Sequence, residues 1–373
     1  MRTRRLILAA ILTGLAVLVT ACSTGQANNA PDASSEEGVR EETASRFAEL
    51  LNENGVPGGV LVVRQGGTEQ AYPVGVANES GAAVTDDTLF AYRSVTKSFV
   101  VTALLQLADE GVVDLDAPST SQFDGMNPAV TPRQLAVMRS GVPNYSAQPE
   151  LLSLIQENPE RRWDDSELLS LVAGVPESFA PGTSYQYSNT NTVLIGQIIE
   201  AATGSAWSQV VKDRILTPLG LDSVVYPDND TSITNIASPY AVDSDGAEAL
   251  PVVQASAFSA AGGLYGTASD LAAWAEALGT GSVLSAAVQQ ERLESFSSTS
   301  ADEASPYYEE YGLGIGKIGD WVGHTGNGLG YQSLAMYNTT TGMSIAICLN
   351  ASGEDGDLPA HILEALEDDI TTQ

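Results

Sequence analysis

Ser94-Val95-Thr96-Lys97-Ser98-Phe99-Val100-Val101-Thr102-Ala103-Leu104-Leu105-Gln106-Leu107 is the run on which the reading of this chain turns. Phe99, Val100, Val101, Leu104, Leu105 and Leu107 leave almost no polar face, which predicts a helix buried inside a core. Residues three apart on a helix share a face, so Lys97 can reach the Ser94 hydroxyl. The positive field of the helix N-terminus would favour an alkoxide there. The same letters also fit a serine cap before a core helix whose lysine snorkels to water.

On either side of this helix the chain reads as strands with flanking helices. Glu41 to Asn54 reads as a helix with Phe47, Leu50 and Leu51 on one face. Val56 to Arg64, a turn at Gly66-Gly67, and Ala71 to Val76 read as a hairpin. Strand patterns return at Tyr311 to Ile318, Trp321 to Gly323, Tyr331 to Tyr337 and Met343 to Leu349, and Leu358 to Ile370 closes the chain as a helix. Between them the chain is mainly helical. Thr131-Pro132 with Gln134 forms a capping box whose helix should stop at Gly141, Thr192 to Ala202 is helical, and Thr267 with Asp270 opens another helix by a capping box. The expected fold class is α+β: an antiparallel sheet flanked by helices, with an inserted, mainly helical subdomain. The expected bounds are a signal peptide at 1–21, a flexible tether at 22–40 and one domain at 41–370. Its sheet part would be 41–93 and 305–370, and its helical part 94–304.

Several chemistries are excluded early. The chain has two histidines, His324 and His361, and no His-Glu-x-x-His, so a zinc hydrolase is not expected, nor any other metal or cofactor. No Gly-x-Ser-x-Gly elbow occurs. Two further motifs share the serine's chemistry. In Tyr187-Ser188-Asn189 the phenol, with an ordinary pKa of about 10, becomes a usable base if a nearby ammonium favours the phenolate. Lys97 can supply that ammonium, letting Tyr187 take the Ser94 proton and return it to a leaving group. Asn189 can hold Lys97 or a substrate amide. In His324-Thr325-Gly326, expected on an edge strand before Asn327, the glycine admits a substrate backbone, and His324 and Thr325 can face a carboxylate or an oxyanion.

The order Ser-x-x-Lys, Tyr-x-Asn, His-Thr-Gly resembles the penicilloyl-serine hydrolases, in the branch that holds class C β-lactamases, DD-carboxypeptidases and related esterases. Flanking runs match as well: Met138-Arg139-Ser140-Gly141-Val142-Pro143, Tyr187 to Asn191, Pro218-Leu219-Gly220-Leu221-Asp222 and Ala261-Gly262-Gly263-Leu264. The resemblance implies an acyl-enzyme on Ser94, with Lys97 and Tyr187 shuttling its proton and the backbone N–H groups of Ser94 and Asn327 forming an oxyanion hole. His324 stands where β-lactamases usually carry lysine, and Tyr-Ser-Asn replaces Tyr-Ala-Asn. Both departures resemble the peptidase and esterase members. The expectation is therefore a D-alanyl-D-alanine carboxypeptidase acting on cell-wall peptide, ahead of an esterase or a β-lactamase. A penicillin-binding-like protein without turnover is the contrasting class.

Arg2, Arg4 and Arg5 before the apolar Leu6 to Val19 read as an export signal, too short to be a membrane span. Val19-Thr20-Ala21-Cys22 resembles a lipoprotein box, so Cys22 is the expected lipidation site, anchoring a monomer to the outer face of a bacterial cytoplasmic membrane. Cys348 is then left as a buried, inert thiol. With 47 acidic against 16 basic residues and a net charge of −31, the surface should repel nucleic acid. It also suggests adaptation to high salt, which would screen the self-repulsion.

Overall fold

The structure is a computed structural model and describes residues 33–371 apart from 122 and 228–232. The signal and lipidation expectations, Cys22 included, lie outside the described residues.

Its centre is an antiparallel sheet of strands β1 (Gly58–Gln65), β2 (Thr68–Gly75), β3 (Ser297–Ser298), β4 (Glu310–Tyr311), β5 (Gly316–Ile318), β6 (Trp321–Gly328), β7 (Tyr331–Asn338) and β8 (Ser344–Leu349). The spatial order is β2-β1-β8-β7-β6-β5-β4-β3, so the first hairpin pairs with the last strand and the two chain ends close one sheet. The helical segment lies between them in sequence. The expected sheet begins slightly late in the second half, because the short β3 falls inside the stretch assigned to the helical part. The expected Tyr311–Ile318 strand is two strands, β4 and β5, divided by a bend at Gly312–Gly314.

Alternation along the strands builds two cores. Val60 and Val62 of β1 with Ala346 and Cys348 of β8 face the helical side. Leu61 and Val63 with Ile345, Ile347 and Leu349 face the opposite side, where Phe47, Leu50 and Leu51 of helix α1 (Ala33–Glu53) and Ile362, Leu363 and Leu366 of the C-terminal helix cover them. Burial on both faces explains why β8 reads as an unbroken apolar run rather than an alternating one. Cys348 is free and fully buried, and burial pushes its thiol up, out of the reactive range.

Helix α2 (Thr96–Asp109) is the buried helix expected from its sequence, with Phe99, Val100, Leu104 and Leu105 wholly inside the first core. Phe99 stacks on Trp274 at 4.0 Å, and the Trp274 indole N–H donates to Ser98 Oγ at 2.8 Å. Helix α3 (Asn189–Thr203) packs beside it and ends at Gly204, in the left-handed conformation that glycine adopts freely.

Local expectations fail in three instructive places. Helix α1 begins at Ala33, eight residues before the expected Glu41. The Thr131–Gln134 capping box is present, but its helix ends at Ala136, before Met138 enters a positive φ of 56°, well short of Gly141. At Thr267 the box is completed through a third residue. Asp270 N–H donates to Thr267 Oγ1, the Asp270 carboxylate accepts from Ser223, and Thr267 N–H donates to Ser223 Oγ.

Candidate active site

Ser94 sits on a tight turn, in a 3-10 segment (Arg93–Val95) running straight into α2. Arg93 is held at φ 47°, a left-handed backbone that costs a side-chain-bearing residue about 1 kcal/mol or more. The turn is pinned from three directions: Tyr92 N–H donates to Leu264 O, Ser333 Oγ of β7 donates to Tyr92 O at 2.7 Å, and Tyr92 Oη donates to Thr267 O. Ser94 is part-exposed while its neighbours on both sides are buried, so its hydroxyl is the group presented to a substrate.

Lys97 is fully buried one turn along α2. Its Nζ lies 2.8 Å from Ser94 Oγ and donates to Ala261 O at 2.7 Å. Neither partner is a carboxylate, and burial holds the amine well below the usual ammonium range. Tyr187 is part-buried, with its hydroxyl enclosed, and has its ring 5.1 Å from Lys97 Nζ. Its hydroxyl makes no hydrogen bond of good geometry, although the Ser94 hydroxyl is close enough to offset part of the rise in its pKa. Burial raises this phenol well above its ordinary value. Burial works against the expected ammonium–phenolate pair, since desolvation favours the neutral form of both groups.

The flanking motifs have a structural job that sequence alone left open. Gln186 N–H donates to Met138 O, Ser140 Oγ to Asn191 Oδ1, and Tyr145 N–H to Thr190 Oγ1, which zips the Met138–Tyr145 segment to the Tyr187 loop. Tyr187 N–H is held by Asp302 Oδ2 at 2.9 Å. Tyr145 is buried and donates to Ala257 O; Arg139 turns to Ser297 Oγ. Asn189 does not hold Lys97. Its side chain donates to Ser146 Oγ at 2.7 Å and its N–H donates to Asn144 Oδ1, so it is tied to the rim.

The third motif corrects the sequence reading most. β6 is interior to the sheet, yet β5 pairs with it only through Trp321–Gly323, so from His324 onward one of its edges is open towards the serine. A Cβ on Gly326 would lie 2.4 Å from Tyr92 O and 2.9 Å from Ser94 N, which is why this position is glycine. Asn327, the next residue, is exposed. His324 is not available to a substrate carboxylate. It is fully buried, with Nδ1 2.6 Å from Thr325 O and Nε2 3.0 Å from Tyr311 Oη. A proton on Nδ1 given to the carbonyl, and a Tyr311 hydroxyl given to Nε2, satisfy a neutral ring. Burial, with Lys97 adding to it, lowers its pKa to about 3. Thr325 is nearly as enclosed, bonded to Tyr308 Oη at 2.8 Å.

Residues that the sequence reading did not assign to the site complete it. Ala261 was visible only as part of the Ala-Gly-Gly-Leu run. Gly262 and Gly263 let that run pass close to Arg93 and Tyr226, and Leu264 N–H donates to Thr96 Oγ1. Tyr308 and Tyr311 carried no signal beyond their nearness to the strand. Among the described residues, no group of three or more His, Cys, Asp or Glu is placed to hold a metal ion.

This fold is shared with known proteins. Residues 43–368 match the family model described as Beta-lactamase, and the chain belongs to that family, within the serine β-lactamase and DD-peptidase superfamily. It is 34% identical over 190 residues to Esterase EstB of Burkholderia gladioli, covering 47% of this chain and 48% of that protein. It is 31% identical over 186 residues to Penicillin-binding protein 4 of Amycolatopsis lactamdurans, covering 47% and 46%. The chain thus spans about half the length of these curated relatives. Among solved structures it is similar to a D-stereospecific amidohydrolase from Streptomyces sp., with TM-score 0.74, 28% identity, and 90% of this chain and 98% of that one covered. A D-amino acid amidase from Ochrobactrum anthropi SV3 superposes with TM-score 0.77 at 25% identity, over 89% and 96%.

Proposed function

We propose that the chain is a serine acyl hydrolase that forms an acyl-enzyme on Ser94, acting on small esters and amides of D-configured acyl donors with uncharged leaving groups. The observation that carries the chemistry is the buried Lys97 amine 2.8 Å from Ser94 Oγ with no carboxylate beside it. A neutral amine accepts the serine proton as Oγ bonds to the substrate carbonyl carbon. The tetrahedral oxyanion is received by the N–H groups of Ser94 and Asn327, on the two backbones that Gly326 allows to meet. Collapse expels the leaving group with a proton delivered from Lys97 by way of Tyr187, whose phenol stays protonated at neutral pH. Water then resolves the ester, with the same groups reversing their roles.

The choice of substrate rests on His324. An enclosed, neutral imidazole offers no charge to a substrate carboxylate, so an amide or ester fits this site better than the free carboxylate of a terminal D-Ala-D-Ala. The similarity to an esterase and to D-amino acid amidases supports the same order. D-alanyl-D-alanine carboxypeptidase activity is the second reading, supported by the similarity to Penicillin-binding protein 4 and by the export signal expected ahead of the domain. A protein that binds without turnover has no need of a desolvated amine at its serine. Anchoring through Cys22 at the outer membrane face, and a monomeric state, belong to the same proposal. A Cys22→Ser variant that stays with the membrane fraction would refute the anchor.

The test is turnover of D-alaninamide, p-nitrophenyl butyrate, a D-Ala-D-Ala peptide and a chromogenic cephalosporin by residues 33–373 and by Ser94→Ala. Amide and ester turnover lost in the variant supports the proposal. Dominant release of D-alanine from the peptide moves the assignment to the carboxypeptidase. Activity that survives in Ser94→Ala removes the nucleophile.

A further inference from the structure

Arg93 is a cation with an unusual address. It is 1% exposed, directly precedes the candidate nucleophile, and has no carboxylate partner among the described residues. Its Nε donates to Gly328 O at 2.9 Å and its Nη2 to Leu329 O at 3.3 Å, the two carbonyls at the turn between β6 and β7. The guanidinium carbon lies 4.0 Å from the centroid of the Phe258 ring and 5.0 Å from that of Tyr331. Phe258 begins the short segment that ends at Ala261, whose carbonyl accepts Lys97 Nζ. One side chain therefore touches the nucleophile turn, the hairpin that carries Asn327, and the segment that supplies the lysine's acceptor. The hairpin answers the contact, since Ser333 Oγ of β7 donates to Tyr92 O on the residue before Arg93. Among the described residues five non-glycine positions have positive φ, and three of them, Arg93 (47°), Ser259 (42°) and Leu329 (41°), are held around this guanidinium.

We propose that Arg93 is a positioning residue: its guanidinium clamps the β6–β7 hairpin against the nucleophile turn and so sets the gap between the Ser94 and Asn327 N–H groups that receive the oxyanion. The proposal rests on the Ser94 acyl-transfer reading above. A planar fork reaching two carbonyls while stacked on two rings is a task for arginine; a lysine keeps the charge and loses the geometry. A positive φ makes glycine the replacement that the backbone accepts most easily.

The experiment compares wild type, Arg93→Lys, Arg93→Gly, Ser333→Ala and Ser94→Ala on p-nitrophenyl butyrate, with melting temperatures for each. A loosened oxyanion hole lowers kcat while leaving ester binding alone, so Arg93→Gly should lose about 100-fold in kcat with KM within about threefold. Arg93→Lys should lose at least about tenfold. Millimolar guanidinium, but not equal sodium chloride, should restore part of the Arg93→Gly rate by filling the vacated slot between Phe258 and Tyr331. Ser333→Ala should lose a few-fold and combine non-additively with Arg93→Lys. The lysine and Ser333 variants keep the test alive if the glycine variant does not fold. The clamp is overturned if folded Arg93→Lys and Arg93→Gly keep kcat within about twofold of wild type, or if the losses only track melting temperature and guanidinium restores nothing. Turnover that survives Ser94→Ala overturns the underlying nucleophile reading instead, a result separate from either.

Discussion

The basic residues of this protein live in two different electrostatic worlds. On the surface, Arg64, Arg133, Arg161, Arg214 and Lys317 each meet a carboxylate, as in the Arg133 pairs with Asp116 and Glu291 and the Arg214 pair with Glu110. Inside, Arg93, Lys97 and Arg292 are buried, and their partners are carbonyls, hydroxyls and rings. Among the described residues no Asp or Glu is buried, although the chain has 47 of them. The surface uses opposite charge to tolerate an acidic excess, whereas the interior keeps acids away from basic groups whose chemistry or geometry depends on being unneutralised. A carboxylate beside Lys97 would fix it as an ammonium and remove the base.

The sharpest way to break this comparison is at Lys97. Lys97→Met should cut kcat/KM for an ester by at least about a thousandfold while leaving the protein folded, since the site loses its proton acceptor and gains an apolar side chain of similar length. In wild type, kcat/KM should rise with pH through the depressed Lys97 value, because the neutral amine is the active form. It should fall again only when Tyr187 ionises, above pH 10. The acidic limb should be unchanged in His324→Gln; a limb that disappears there would put the base at the histidine.

His324 supplies the next largest effect, and it concerns stability. Its folded pKa of about 3 lies below the ordinary value of 6.5, so the unfolded chain binds a proton that the folded site refuses. Stability is therefore whole above pH 6.5 and is lost as pH falls towards 3. The loss reaches on the order of 4 kcal/mol relative to His324→Gln, read from urea unfolding at a series of pH values. A wild-type profile parallel to that of the variant would show that the buried ring titrates normally.

Arg292 tests the interior rule from the other side. Nη2 donates to Thr102 Oγ1 at 2.6 Å, while Nε and Nη1 find no acceptor. Burial lowers its pKa to about 9. Removing an unpaired buried charge relieves its desolvation, so Arg292→Met should raise unfolding stability by about 1 kcal/mol. A loss of several kcal/mol would reveal that the cation is compensated. The smallest effect belongs to the surface: Arg133→Ala should cost less than about 1 kcal/mol, and the difference should vanish in 1 M NaCl. Wild-type melting temperature should itself rise with added salt if the acidic surface is adapted to it.

How much of this was legible in the sequence follows the range of the interactions involved. The β1 strand, the buried helix α2, the Thr131 cap and the Ser94–Lys97 pair are local patterns, and each stands where its pattern put it. The protonation states were not legible. Lys97 takes its acceptor from Ala261, 164 residues away, and Tyr187 is enclosed by Tyr311 and Tyr308 from a different hairpin. Period-2 alternation tells which way His324 points but not what covers it, and Tyr308 and Tyr311 turned an expected substrate contact into a buried strut. The conformation of Arg93 was equally invisible, since nothing in the letters Tyr-Arg-Ser announces a left-handed backbone.

That conformation has a consequence for anyone who sets out to improve this protein. Arg93, Ser259 and Leu329 each hold a backbone that glycine would adopt more easily, so Leu329→Gly and Ser259→Gly are natural first picks in a search for thermostable variants. They are also the positions where relaxation would let three loops drift apart around one serine. Selection for heat tolerance alone should therefore drift towards sturdy, sluggish variants, and a screen that keeps both traits will need to find its gains on the far side of the sheet, where the terminal helices pack.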